Sequence, residues 1–202
     1  FPIQIQEVKA SIRYIRKHAA EYQLDGSRIA LLGESAGAHY AALSATSSAA
    51  GELTDAEWPN QDVSDEVQAV IAVYCPVDIG MMEQLFAVEE QAWGNKTVIE
   101  EYGEPDSMEA VLLGGPAKSV PDMVKLANPL TYVNSKCPPF LFLHGSEDYV
   151  VPILGSMWLA AKIMEATSID NVKYQVVKGA HHDIHDFEHD WIYDLEAEFL
   201  KE

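Results

Sequence analysis

"RIALLGESAGAHYAALSAT" (residues 28–46) changes character at its middle. Arg28 to Gly33 form a short apolar run closed by glycine, the pattern of a buried strand. From Ser35 to Thr46 the chain is rich in small helix formers. The junction reads Gly33-Glu34-Ser35-Ala36-Gly37. A Gly-x-Ser-x-Gly between strand and helix makes a sharp turn that lifts the serine hydroxyl clear of the backbone; side chains at Gly33 and Gly37 are expected to collide with neighbouring backbone. Ser35 then stands at a helix N-terminus, where amide dipoles favour developing negative charge. The plainer alternative makes Ser35 a helix N-cap and Gly33 a turn residue. The strand before and the helix after favour the first reading.

Outward from this junction, strands and helices alternate. Residues 3–23 carry Ile5, Val8, Ile12, Ile15 and Ala19 at helical spacing, an amphipathic helix. "VQAVIAVYC" (67–75), "PFLFLHG" (139–145) and "VKYQVVKG" (172–179) read as three more strands, apolar enough for a sheet covered on both faces. Helices are expected over 153–166 (Leu154, Trp158, Ala161, Met164) and about 187–201 (Phe187, Trp191, Leu195, Phe199). This rhythm predicts one α/β domain over 1–202 with a doubly wound, mainly parallel sheet. Residues 76–128 break it. With Met81, Met82, Phe86, Trp93, Tyr102, "YGEPDS" and "LLGGP", they are expected to form a helical cap inserted over the C-terminal ends of the strands.

Composition narrows the function. The 202 residues are 48% hydrophobic and 22% charged, with a formal charge of −19 that should repel nucleic acid and anionic membranes. No run of about 18 apolar residues is present to span a membrane. Cys75 and Cys137 are read as buried or structural thiols rather than a disulfide framework. No signal peptide is visible, but the chain opens directly in a helical pattern without Met, and upstream sequence is expected. Location is left open, the cytoplasm being favoured and secretion the alternative.

A serine hydroxyl needs a base, and the base needs a carboxylate to hold its tautomer. For an elbow of this kind the chain order is Ser, acid, His. "LHGSEDYVVP" (143–152) supplies Asp148, with Glu147 beside it as the alternative and a turn-forming role as the bland reading. "KGAHHDIHDFEHD" (178–190) places His181 and His182 just after the last strand, and His182 is preferred. His185 and His189 are one turn apart and could share zinc. A hydrolytic zinc helix, however, has Glu directly after its first His, and Asp186 stands there. A solvated helix start is the preferred reading, and no metal or cofactor is expected. His39 and His144 are read as interior histidines, His39 bordering the pocket.

With these motifs together the chain resembles the α/β-hydrolase superfamily, and within it bacterial carboxylesterases of the acetyl-xylan/feruloyl-esterase-like group. The resemblance runs through "FPIQIQEVKASIRYIRKHAAEYQLDGSRIALLGESAGAH", "LLGGP", "ANPLTYVNSKCPPFLFLHGSEDYVVP" and "KGAHHD". It implies a serine esterase of short acyl esters, with acylated carbohydrates among the candidate substrates. Ser35 would be the nucleophile, His182 the base, Asp148 its orienting acid and the Ala36 amide an oxyanion donor. The family's Gly-Ala-Gly-His-Gly pattern puts its histidine at His182, with His181 and Asp183 where glycines usually stand. The family's His-Gly-Gly oxyanion motif is absent, so the chain is expected to correspond to the C-terminal two-thirds of such an enzyme. An uncovered sheet edge could then favour a homo-oligomer. Glu34, Trp93 and Met81, with Met82, are candidates for the substrate pocket, cap-core packing being the alternative for those in the cap. "GESAGAH" also resembles the elbow of kynurenine formamidases, so arylformamidase or serine peptidase activity stays open, as does an inactive hydrolase-like module.

Overall fold

The computed structural model describes residues 1–54, 56–98 and 104–201. Tyr102 and the start of "YGEPDS" lie outside the described residues. Four strands, β1 (Ala30–Glu34), β2 (Ala69–Val73), β3 (Phe140–Gly145) and β4 (Val172–Val177), form one sheet in chain order. All three pairings are parallel, with Leu32 opposite Ile71, Ile71 opposite Leu141 and Leu143 opposite Gln175.

Alternation along the strands sorts two cores. On one face Val70, Ala72, Phe140, Phe142 and Val172 pack against α1 (Ile3–His18), α2 (Ala36–Ala50) and α6 (Ile153–Ala166) through Ile12, Ala41, Ala45, Leu159 and Ile163. On the other, Ile71, Val73, Leu141 and Leu143 meet Ile192 and Phe199 of α7 (Asp190–Phe199). Helices on both faces of a parallel sheet are the doubly wound arrangement. Both cysteines are buried free thiols.

β1 departs from the expected double cover. Leu32, on the α7 side, is 62% exposed, because α7 reaches β2 to β4 but stops short of β1. α1 also differs. It ends at His18 rather than Gln23: Leu24 N–H turns back to Ala19 O, and Gln23 takes a positive φ of 57°. Ile15 is exposed, while Lys9 and Arg13 are buried, Arg13 pairing with Asp65 at 2.8 Å and Lys9 reaching Glu52 O.

Between β2 and β3 lie α3 (Met82–Trp93), α4 (Met108–Leu113) and α5 (Pro121–Leu126), with 3-10 turns before α3, between α4 and α5, and after α5. This segment grips the loop after β3. Asn95 donates to Ser146 O, and Thr97 Oγ1 and Val98 N both donate to Tyr149 O.

Candidate active site

The loops leaving the four strands converge at one edge of the sheet. Backbone ladder bonds continue past the strand ends: Ser35 N to Val73 O, Tyr74 N to Leu143 O and Ser146 N to Val177 O, at 2.7–3.0 Å. They fix where each loop begins.

Ser35 carries a positive φ of 51° with ψ −123°, a left-handed backbone that a non-glycine residue adopts only when its surroundings impose it. The imposing contact is at Gly33. A Cβ there would lie 2.3 Å from Gly37 O, so β1 and α2 can approach this closely only over a glycine. Gly37 corrects the sequence expectation. A Cβ at Gly37 would meet nothing within 4 Å, so no collision requires glycine there.

Ser35 Oγ lies 2.8 Å from Nε2 of His182, and Nδ1 of His182 lies 2.8 Å from Oδ2 of Asp148. With Nδ1–H donating to the carboxylate, Nε2 is free to accept the serine proton. Asp148 is buried, yet its other oxygen, Oδ1, accepts the N–H groups of Val150 and Val151 at 2.9 and 2.8 Å. Burial opposes ionisation, but contacts from His144 and His182 outweigh it and hold this carboxyl well below the usual carboxylate range. A hydroxyl, an imidazole and an ionised carboxylate in this order can make an alcohol nucleophilic.

The two alternatives from the sequence pair with each other instead. Nε2 of His181 lies 3.7 Å from Glu147, and its Nδ1 3.0 Å from Asp186. Asp183, at a position the resembled family fills with glycine, caps the following turn by accepting His185 N–H. His185 pairs with Glu188 at 2.7 Å, and His189 stands at the N-cap of α7. Among the described residues no group of three or more His, Cys, Asp or Glu side chains is arranged to hold a metal ion.

Ser35 and Ala36 open onto a cleft of about 440 Å³. Its walls are mainly apolar, from Ile79, Met82, Leu112, Val150 and Val151, with Asp106 and Glu109 also present. As the first residue of α2, Ala36 has an N–H that the helix does not use. His39 lines the cleft, donates from Nδ1 to Pro76 O at 2.9 Å and is kept neutral by burial.

The other pocket candidates sit elsewhere. Trp93, 56% exposed, lines a separate depression with Tyr149, Glu147 and Met157. Met81 is half-exposed, whereas its neighbour Met82 is buried in the cleft wall, since successive helical side chains point about 100° apart. Glu34 accepts the Tyr74 hydroxyl, and the Tyr74 ring lies 4.4 Å from the His182 ring. Tyr74, packed behind the histidine, was not singled out by the sequence. The one signal available was its place at the end of an apolar strand.

The BD-FAE family model matches residues 1–163. The chain belongs to the BD-FAE family. Its fold is the α/β-hydrolase fold. It is 31% identical over 183 residues to Esterase LipQ of Mycobacterium tuberculosis, which covers 90% of this chain and 39% of LipQ. Among solved structures, a truncated carbohydrate esterase from gut microbiota superimposes with a TM-score of 0.80 at 29% identity, covering 100% of this chain and 68% of that one. A bifunctional GH43-CE protein of Bacteroides eggerthii also gives 0.80, at 28% identity, covering 100% of this chain and 27% of its own. The BD-FAE chain thus spans well under half the length of the curated esterase it matches. No helix among the described residues is long and apolar enough to cross a membrane.

Proposed function

We propose that this chain hydrolyses short-chain carboxylic esters through a Ser35–His182–Asp148 triad and an acyl-enzyme. The unbroken 2.8 Å and 2.8 Å contacts from hydroxyl to imidazole to carboxylate carry the reading. The esterase names of relatives at 31% and 28% identity support the reaction class.

Ser35 Oγ attacks the ester carbonyl while His182 Nε2 takes its proton. Asp148 Oδ2 accepts from Nδ1–H throughout and stabilises the imidazolium. The tetrahedral oxyanion forms beside the Ala36 N–H, at the positive end of α2. His182 returns the proton to the departing alcohol, leaving Ser35 acylated. Water, deprotonated by the same nitrogen, attacks the acyl carbon, and His182 returns that proton to Ser35 Oγ as the acyl–oxygen bond breaks and the acid leaves. No cofactor enters these steps.

The segment 76–128 acts as a cap. Through Ile79, Met82 and Leu112 it walls an apolar acyl site whose 440 Å³ suits a short chain. The neighbours described as a carbohydrate esterase and a GH43-CE protein support a carbohydrate as the alcohol part. Turnover of p-nitrophenyl acetate and of acetylated xylo-oligosaccharide, each compared with Ser35→Ala, tests the proposal. Undiminished turnover in the variant would remove Ser35 from the mechanism.

A further inference from the structure

A second histidine faces the acid. His144, on β3, is fully buried and contributes nothing to the cleft. Its Nε2 lies 3.2 Å from Val151 O and 3.4 Å from Asp148 Oδ2. Both are acceptors, so a proton must sit on Nε2; a bare lone pair there would face two oxygens. Nδ1 lies 2.8 Å from Ser156 Oγ, which itself lies 2.7 Å from the Tyr174 hydroxyl. Ser156 Oγ has a second acceptor in Ile153 O at 3.0 Å, so its one proton is shared between that carbonyl and Nδ1 while Tyr174 donates to Ser156; what places the proton on Nε2 is the pair of acceptors facing it.

Val151 is tied to Asp148 from the other side as well, since its N–H donates to Oδ1. The Nε2 proton of His144 therefore touches both the turn that orients the carboxylate and the oxygen that receives His182. We propose that His144 is a positioning residue: its Nε2–H clamps the Asp148–Val151 turn and shares Oδ2 with His182, fixing the carboxylate and moderating its pull on the imidazole. The inference rests on the triad reading above. The ionisable groups around Asp148 are His144 from β3, His182 from the loop after β4, Glu89 of α3 and Tyr74 after β2.

His144→Leu and His144→Gln separate this role from packing, because the glutamine amide can still donate from the Nε2 position. His144→Leu is expected to lower kcat about 10–100-fold, the scale of a misplaced catalytic group, with KM within about twofold. Its acidic limb in kcat/KM should move to higher pH, because an unshared carboxylate holds the His182 imidazolium more strongly. His144→Gln should recover most of kcat and the original limb. Wild-type kcat and pH profile in a folded His144→Leu protein would overturn the proposal, as would equal loss in both variants. Long-range ¹H–¹⁵N spectra of the unmutated protein give a readout without turnover. A proton on Nε2 of His144 is expected, and a proton on Nδ1 alone would overturn the clamp. Full activity in Ser35→Ala would instead sink the triad reading and leave the tautomer standing.

Discussion

Ser35 Oγ and His182 Nε2 are 147 residues apart in the chain and 2.8 Å apart in space. Neither residue reaches the other through its own local structure: one is a strained turn residue, the other follows a strand. Their contact exists because β1 and β4 end at the same edge of a sheet laid down in chain order. Ser35→Ala and His182→Ala should each lower ester hydrolysis by about 10⁴-fold or more. His181→Ala should stay within about threefold, since that ring pairs with Glu147 and Asp186. Initial rates on p-nitrophenyl acetate, with fluorophosphonate labelling, measure all three.

Asp148→Asn preserves shape but loses the charge that sets the His182 tautomer. An activity loss of about 10⁴-fold is expected at neutral pH. The same carboxyl gives a stability signature. Its folded pKa is depressed, so its contribution is present above the ordinary carboxylate range and lost as pH falls through it. Thermal unfolding followed from pH 6 downward should show a shallower fall in Asp148→Asn than in the unmutated protein.

Glu89 shows the opposite sign. It is buried on α3 and accepts Leu154 N–H at 2.9 Å, at the start of α6. Burial pushes its pKa from 4.5 up to about 7. The unfolded chain therefore loses this proton first, and stability should fall as pH rises between those values. Glu89→Gln keeps an acceptor for Leu154 and removes the charge. It should add roughly 1–3 kcal/mol at pH 8 and little at pH 4, read by urea unfolding at both pH values.

The two elbow glycines should answer differently to alanine. At Gly33 the added carbon meets Gly37 O at 2.3 Å, so β1 and α2 must separate. Gly33→Ala should cost roughly 1–3 kcal/mol or more and displace Ser35. Gly37→Ala meets open space inside a helix and should be neutral or up to about 1 kcal/mol stabilising. Chemical denaturation of both variants decides.

Leu32 offers an apolar side chain on an edge strand that has no second neighbour among the described residues. Such an edge invites pairing between copies. Leu32→Lys should reduce any concentration-dependent association seen in sedimentation velocity, with the fold unchanged by circular dichroism.

The fold was largely legible because apolar runs and small-residue helices carry their own periodicity. The helix 153–166 has the expected bounds, and each strand lies within its expected range or one residue of it. The apolar spacing alone makes α1 too long, because the stripe runs on to Ala19, still in helical conformation at the C-cap, and nothing in that spacing marks the turn completed at Gln23. α7 was read too early because Phe187 has a helical apolar spacing but precedes the His189 N-cap. Within the site, Ser35, Asp148 and His182 could be found from motif and chain order. Met82 was among the pocket candidates and lines the cleft, whereas Tyr74 and its contact with Glu34 could not be found that way. They depend on which residue of one strand faces which residue of a strand distant in sequence, and periodicity does not encode that register.

The order of the sheet has a temporal meaning. The serine follows β1 and emerges early, the carboxylate follows β3 more than a hundred residues later, and the imidazole follows β4 last. Until β4 docks against β3, Ser35 is an ordinary alcohol with nothing to take its proton. Under the proposed mechanism a nascent or half-folded chain would be chemically silent, and reactivity would switch on only when the fourth strand docks.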